Sequence, residues 1–263
     1  HLHNGWGKEH CALPPVDVAL LGDPDAATAD LLAALPDRRP ADWLRPAEPA
    51  PEPPAEGPLT LHDAARALRE AVGDQPVTFA SLARAWPVGL WPHEDPLAYL
   101  GKDGGGGVGS GPGLAIGAAL ALKDSERLCV AVLGDGDALM SVNALWTAAK
   151  YAIPLVILVA NNRSYYNDEL HQEGVARTRG RPVENRWIGQ RIADPDPDIA
   201  AMARAQGVAA SGPVRDREAL RAATAEAVAT ARTGAPYLVD IHIDPAAGRK
   251  LTESMAERSM AKR

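Results

Sequence analysis

Two unbroken apolar runs dominate the hydrophobic pattern of this chain, Leu128-Cys129-Val130-Ala131-Val132-Leu133 and Leu155-Val156-Ile157-Leu158-Val159-Ala160. Neither alternates with polar residues, so both predict strands buried on two faces, as in a parallel sheet. The segment between them reads as one crossover helix. Upstream, the pattern predicts a helix over Leu61–Val72, with His62 and Asp63 at its polar start, and then a strand over Pro76–Ala80. A glycine-rich stretch, residues 104–113, leads into a small-residue helix over Leu114–Leu122, whose alanines permit close packing on a neighbour. Downstream, Arg163–Pro197 is too rich in charge, glycine and proline for a core and reads as a site-covering loop with short helices. A helix over Asp198–Gln206, a short apolar piece at Gly207-Val208, a helix over Arg217–Thr230 and a strand over Tyr237–Ile243 complete the pattern. Strands that alternate with helices predict an α/β fold, a doubly wound, mainly parallel sheet flanked by helices.

Ahead of this region, Val16-Asp17-Val18-Ala19-Leu20-Leu21 reads as a strand and Ala26–Leu35 as a helix. One βα unit cannot make a domain alone. Pro36–Pro58 is dense in proline among Ala, Glu, Arg and Asp, a composition that favours extended backbone, and it reads as a linker. No internal repeat is visible.

Composition narrows the function classes. A chain of 263 residues with 46% hydrophobic residues can bury a core. Its 27 Lys and Arg stand against 34 Asp and Glu, a net charge of −7, and no basic cluster follows a phosphate backbone, which argues against nucleic-acid binding. No apolar run approaches the roughly 18 residues of a membrane span and the first residues are not signal-like, so a cytoplasmic protein without a membrane partner is expected. Cys11 and Cys129 imply no disulfide, and Cys129 reads as a small core residue inside its strand. The cluster His3, His10 and Cys11 makes a poor metal site in an unanchored terminal segment.

Polar chemistry gathers where the two apolar runs end. Gly134-Asp135-Gly136 follows the first and Asn161-Asn162 the second, with residues 137–160 between them. Ligands in open α/β sheets sit beyond the carboxyl ends of the strands, where backbone N–H groups are free. A carboxylate and an amide oxygen there can share one hard cation. Mg²⁺ accepts one or two protein oxygens and completes its octahedron with water and phosphate, so the pair suggests a diphosphate held through a metal. Taken singly, Asp135 could merely cap a helix and Asn161-Asn162 could be a turn.

These residues resemble the signature of thiamine diphosphate (ThDP)-dependent enzymes of the acetolactate synthase, benzoylformate decarboxylase and pyruvate decarboxylase group. The likeness continues through Ala144-Leu145-Trp146-Thr147-Ala148-Ala149-Lys150-Tyr151-Ala152-Ile153-Pro154, which looks like the helix after the metal aspartate in benzoylformate decarboxylases. The resemblance implies the ThDP-binding fold of a C-terminal pyrophosphate-binding domain over residues 59–250. Residues 1–35 would be the tail of a central domain, 36–58 the linker and 251–263 a C-terminal tail. It also implies Asp135, Asn162 and the Ser164 carbonyl as Mg²⁺ ligands. The cofactor would lie against Gly106, Gly107, Val108, Gly136, Asp137, Ala138, Asn162 and Tyr165. In this alignment the Gly106 carbonyl accepts from the cofactor's amino group, where a Cβ would block close approach, and Val108 is the apolar wedge between its two rings. Val108 is shorter than the residue usual in the family. Asp137 stands where relatives often place Ser, and a carboxylate beside phosphate must turn away or cap a helix, leaving its backbone N–H and that of Ala138 to serve.

His171 lies near the expected mouth of the pocket and could act as a catalytic proton relay, or be a solvated loop histidine; His93 has similar standing. The family's glutamate on the cofactor's pyrimidine belongs to a domain that nothing in this chain matches. The partner expected is therefore a pyrimidine-binding domain on a second chain or in a missing N-terminal part, the complete unit forming a dimer or tetramer. The implied activity is that of a ThDP- and Mg²⁺-dependent lyase or carboligase acting on a 2-oxo acid. The alternative is a catalytically silent ThDP-binding or scaffolding subunit of a heteromeric assembly.

Overall fold

The computed structural model describes residues 2–3, 17–18, 20–36, 56–86, 88–93, 95–101 and 107–244. The chain divides into two compact units, residues 1–47 and 48–263. In the first, β1 (Leu2–His3) pairs in parallel with β2 (Leu20–Leu21), followed by α1 (Pro24–Ala34). Asp23 caps α1 by accepting from the Asp25 and Ala26 N–H groups, with Pro24 at the first helical position. The expected strand from Val16 reaches only Leu20–Leu21 among the described residues. The linker lies largely outside the described residues, and the C-terminal tail lies wholly outside them.

The second unit opens with α2 (Leu61–Val72), held by a capping box in which the Thr60 hydroxyl and the Asp63 carboxylate satisfy each other's backbone N–H. There follow β3 (Val77–Ser81), α3 (Gly111–Ala121), β4 (Leu128–Gly134), α4 (Asp135–Met140), α5 (Leu145–Lys150) and β5 (Leu155–Asn161). The chain closes with α6 (Tyr166–Thr178), α7 (Ile199–Ala205), β6 (Ala209–Val214), α8 (Arg217–Arg232) and β7 (Pro236–His242). The five strands β3 to β7 form one parallel sheet in the order β3-β4-β5-β7-β6.

Both sheet faces are covered, which explains the continuous apolar runs. Alternate residues of β4 and β5 divide between two cores. Val130, Val132, Val156 and Leu158 join α2 and α8, whereas Cys129, Ala131, Leu133, Leu155, Ile157 and Val159 join α3, α5 and α7. The chain steps past the β7 position to β6 and then returns, and a right-handed return crossover puts α8 on the face opposite α7. Arg217 and Asp63, 2.8 Å apart, tie α8 to the start of α2. At the β3 edge, Phe79 exchanges backbone hydrogen bonds with Ala98 and Leu100, so that edge is covered.

Three expectations need correction. The crossover between β4 and β5 is not one helix, because the backbone leaves the helical region at Ser141 (φ −138, ψ 32) and restarts through a 3-10 turn at Val142–Ala144. Arg163–Pro197 is largely loop, as its composition predicts, but in place of short helices it carries one of 13 residues, α6. The short apolar piece at Gly207-Val208 leads into a full edge strand, β6, whose serine, glycine and proline hide it from a hydrophobic pattern.

Candidate functional site

The carboxyl ends of β4 and β5 are adjacent, with Gly134 paired to Ala160, so Asp135 and the Asn161-Asn162 turn leave the sheet side by side. Asp135 is the first residue of α4 and is buried. One of its oxygens accepts from the Gly136 N–H at 2.9 Å, and the other accepts from the Ser164 N–H at 3.1 Å. That same Ser164 N–H also points at the Asn162 side-chain oxygen, 3.0 Å away. A carboxylate oxygen and an amide oxygen thus converge on one backbone nitrogen. These are hard oxygen donors of the kind a divalent cation takes from protein. Burial pushes the Asp135 carboxyl up to about 6, against the pull of its backbone N–H donors. Among the described residues no group of three or more His, Cys, Asp and Glu gathers that could hold a metal ion.

The residues flanking this pair fasten it. Asn161 donates to Asp240 of β7 at 2.9 Å and accepts from the Arg163 N–H at 3.1 Å. Arg163 takes a left-handed turn (φ 57), and its guanidinium lies 3.3 Å from His242, whose pKa is lowered by burial, then by Arg215 and Arg163. Burial also raises the buried Asp240 carboxyl to about 6. Gly136 faces the Tyr165 ring so closely that a Cβ would overlap it. Burial and then the nearby Asp135 charge raise the Tyr165 hydroxyl. Ala138 is buried on the core-facing side of α4.

Asp137 turns away from the Asp135 and Asn162 oxygens. Its carboxylate accepts from the N–H groups of Gly109 (2.6 Å) and Gly111 (3.3 Å) at the start of α3, a helix whose own N-cap, Ser110, makes no side-chain cap. It therefore caps α3, not the helix near Ala138, and pins the glycine-rich turn to α4. Gly107 accepts from the Ser110 hydroxyl, and Val108 is 51% exposed at the tip of this turn. Gly106 lies outside the described residues. His171 is exposed on α6, two residues past the buried Glu169 and two before the buried Glu173, which puts it on the opposite side of that helix. His93 is exposed and lies edge-on to Phe79, with ring centroids 6.2 Å apart.

Sequence reasoning missed Glu169. It is fully buried, accepts from the Ser164 hydroxyl at 2.5 Å and pairs with Arg191 at 2.7 Å. Its only signal was the i,i+4 spacing with Glu173 inside a segment read as loop.

Residues 80–241, more than half the chain, match the family model described as "Thiamine pyrophosphate enzyme, C-terminal TPP binding domain". An acetolactate synthase large subunit from Parasynechococcus marenigrum is 28% identical over 238 residues, 86% of this chain and 36% of that protein. A benzoylformate decarboxylase from Pseudomonas aeruginosa is 29% identical over 248 residues, 88% of this chain and 41% of that protein. The chain thus spans about two fifths of these curated relatives. The solved benzoylformate decarboxylase from Polynucleobacter necessarius shares the fold, with a TM-score of 0.72 at 22% identity over 92% of this chain and 44% of that one. Among the described residues, no helix is long and apolar enough to cross a membrane.

Proposed function

We propose, since this chain belongs to the thiamine pyrophosphate enzymes and carries their C-terminal TPP-binding domain, that it supplies the diphosphate half of a ThDP- and Mg²⁺-dependent active site. The activity proposed is lyase or carboligase chemistry on a 2-oxo acid. The observation that carries the reading is the convergence of the Asp135 and Asn162 oxygens on the Ser164 N–H. Asp135 is a buried carboxylate whose charge, among the described residues, is met by backbone N–H groups, and a divalent cation bridging to phosphate would neutralise it. In this reading Asp135, Asn162 and the Ser164 carbonyl hold Mg²⁺, and the α4 backbone at Gly136, Asp137 and Ala138 faces the diphosphate.

When bound, ThDP supplies the electron sink for cleavage beside a ketone. The chain's own residues position it. Asp137 fixes the turn that carries Gly107 and Val108, Tyr165 borders the diphosphate over Gly136, and the wedge role falls to Val108. His171, exposed on the side of α6 opposite the Glu169 that meets Ser164, is read as a solvated histidine and not as the proton relay. The pyrimidine-binding domain comes from elsewhere in the assembly, in a dimer or tetramer of the complete unit.

The test is ThDP binding to the native assembly with and without Mg²⁺, followed by CO₂ release across a panel of 2-oxo acids. Mg²⁺-dependent binding with turnover is expected. Binding that ignores Mg²⁺, or none, overturns the cofactor reading; tight binding without turnover leaves a silent subunit.

A further inference from the structure

We infer that Ser164 and Glu169 are positioning residues for the cation site, the buried Glu169 holding Ser164 so that its N–H keeps the Asp135 and Asn162 oxygens together. This rests on the cofactor reading above. Ser164 is tied from three sides. Its N–H serves the two oxygens, and its hydroxyl donates to Glu169. Its backbone neighbours pair antiparallel with residues 190–192, Tyr165 N–H donating to the Gln190 carbonyl and Ile192 N–H to the Arg163 carbonyl, each at 2.9 Å.

Glu169 is anchored in turn. Arg191 lies 2.7 Å away and Arg186 3.8 Å away, and Arg186 also holds Glu173 at 2.7 Å, which Arg177 meets at 2.6 Å. Three guanidiniums face two carboxylates in this network. Its charge balance therefore does not attract a cation, and its contribution is geometric. Rotation of Ser164 would withdraw the N–H from both oxygens at once, and the two would separate under their mutual repulsion. Partners that orient ligands in this way typically change metal affinity by about 10–100-fold.

The geometric role separates the variants. Ser164→Ala removes the hydroxyl and leaves every proposed ligand atom in place, and Glu169→Ala removes its acceptor. Glu169→Gln keeps an acceptor oxygen for the hydroxyl while losing the charge. Mn²⁺ titration of the native assembly with ThDP present, followed by the electron-spin-resonance signal of free Mn²⁺, reads the apparent affinity without turnover. S164A and E169A should weaken Mn²⁺ by roughly tenfold, and E169Q should restore it to within about twofold. Where E169A fails to fold, S164A against the unsubstituted protein decides alone. Undiminished Mn²⁺ affinity in S164A overturns this inference while the cofactor reading stands. E169Q as weak as E169A replaces geometry with charge and overturns it as well. Absence of ThDP-dependent Mn²⁺ uptake by the unsubstituted protein defeats the cofactor reading itself.

Discussion

Replacing Asp135 by Asn should stabilise the metal-free protein while abolishing its cation site. Burial raises this carboxyl from an ordinary 3.8 to about 6. A folded-state value above the unfolded one means that the folded chain binds the proton more tightly. Stability linked to Asp135 is therefore fully present below about pH 3.8, is lost as pH rises toward about 6, and is gone above it. At neutral pH, a shift of roughly two units costs about 3 kcal/mol. An amide imitates the protonated acid in shape and cannot ionise, so D135N should recover about 2–3 kcal/mol at pH 7, less where its second N–H crowds that of Ser164. The assay is urea denaturation of the full chain in chelator. The variant's advantage should grow across the window from about pH 3.8 to about 6 and vanish below it. Mg²⁺ with ThDP should cancel it by stabilising the unsubstituted protein alone, by about 2.7 kcal/mol at a hundredfold excess over Kd. A variant that is less stable at neutral pH without metal, or an advantage independent of pH, refutes the reasoning.

Asp137→Ala leaves the Gly109 and Gly111 N–H groups without their acceptor, and should lower stability by about 1–2 kcal/mol in thermal denaturation and weaken ThDP binding further by freeing the turn. Gly136→Ala drives a methyl into the Tyr165 ring; it should destabilise strongly, and a double-mutant cycle with Tyr165→Ala should recover most of the loss. Leu158→Ala empties a fully buried position of β5 and should cost about 2–5 kcal/mol in urea denaturation with cofactor-free chain.

The sheet was legible because burial on both faces leaves a strong signature. The β4 and β5 runs need no polar alternation, and the structure extends each by only one residue, to Gly134 and Asn161. The β6 strand was not legible, since an edge strand carries little core, and Ala209–Val214 is written in small and polar residues. The Asp135 and Asn162 pair was visible as spacing, but Glu169 was not. A buried carboxylate is defined by its partners, and Arg186 and Arg191 lie 17 and 22 residues downstream, in a segment whose composition reads as solvated. Similarly, Asp137 could be anticipated to turn from phosphate, but its target, the α3 N-terminus, depends on how α3 and α4 meet.

The two proposed ligands are surrounded by residues whose polar groups are committed to different elements. Asn161 holds β7, Arg163 meets His242 and the 190–192 segment, Ser164 reaches α6, and Asp137 holds α3. The Asn161, Ser164 and Asp137 ties lead to β7, α6 and α3, so none of the three can replace another, whereas Arg163 meets β7 as Asn161 does. Substitutions at Asn161 and Ser164 should be close to additive in stability, because their side-chain ties to Asp240 and Glu169 have no partner in common. In cation affinity they should be non-additive, since both act on the same two oxygens. Combining Ser164→Ala with Asn161→Ala tests this directly: additive losses in urea denaturation with a less-than-additive loss of Mn²⁺ affinity fit the arrangement. Losses of Mn²⁺ affinity that add fully would mean that each tie acts on the site independently, and no loss of affinity would mean that the ties support the fold alone.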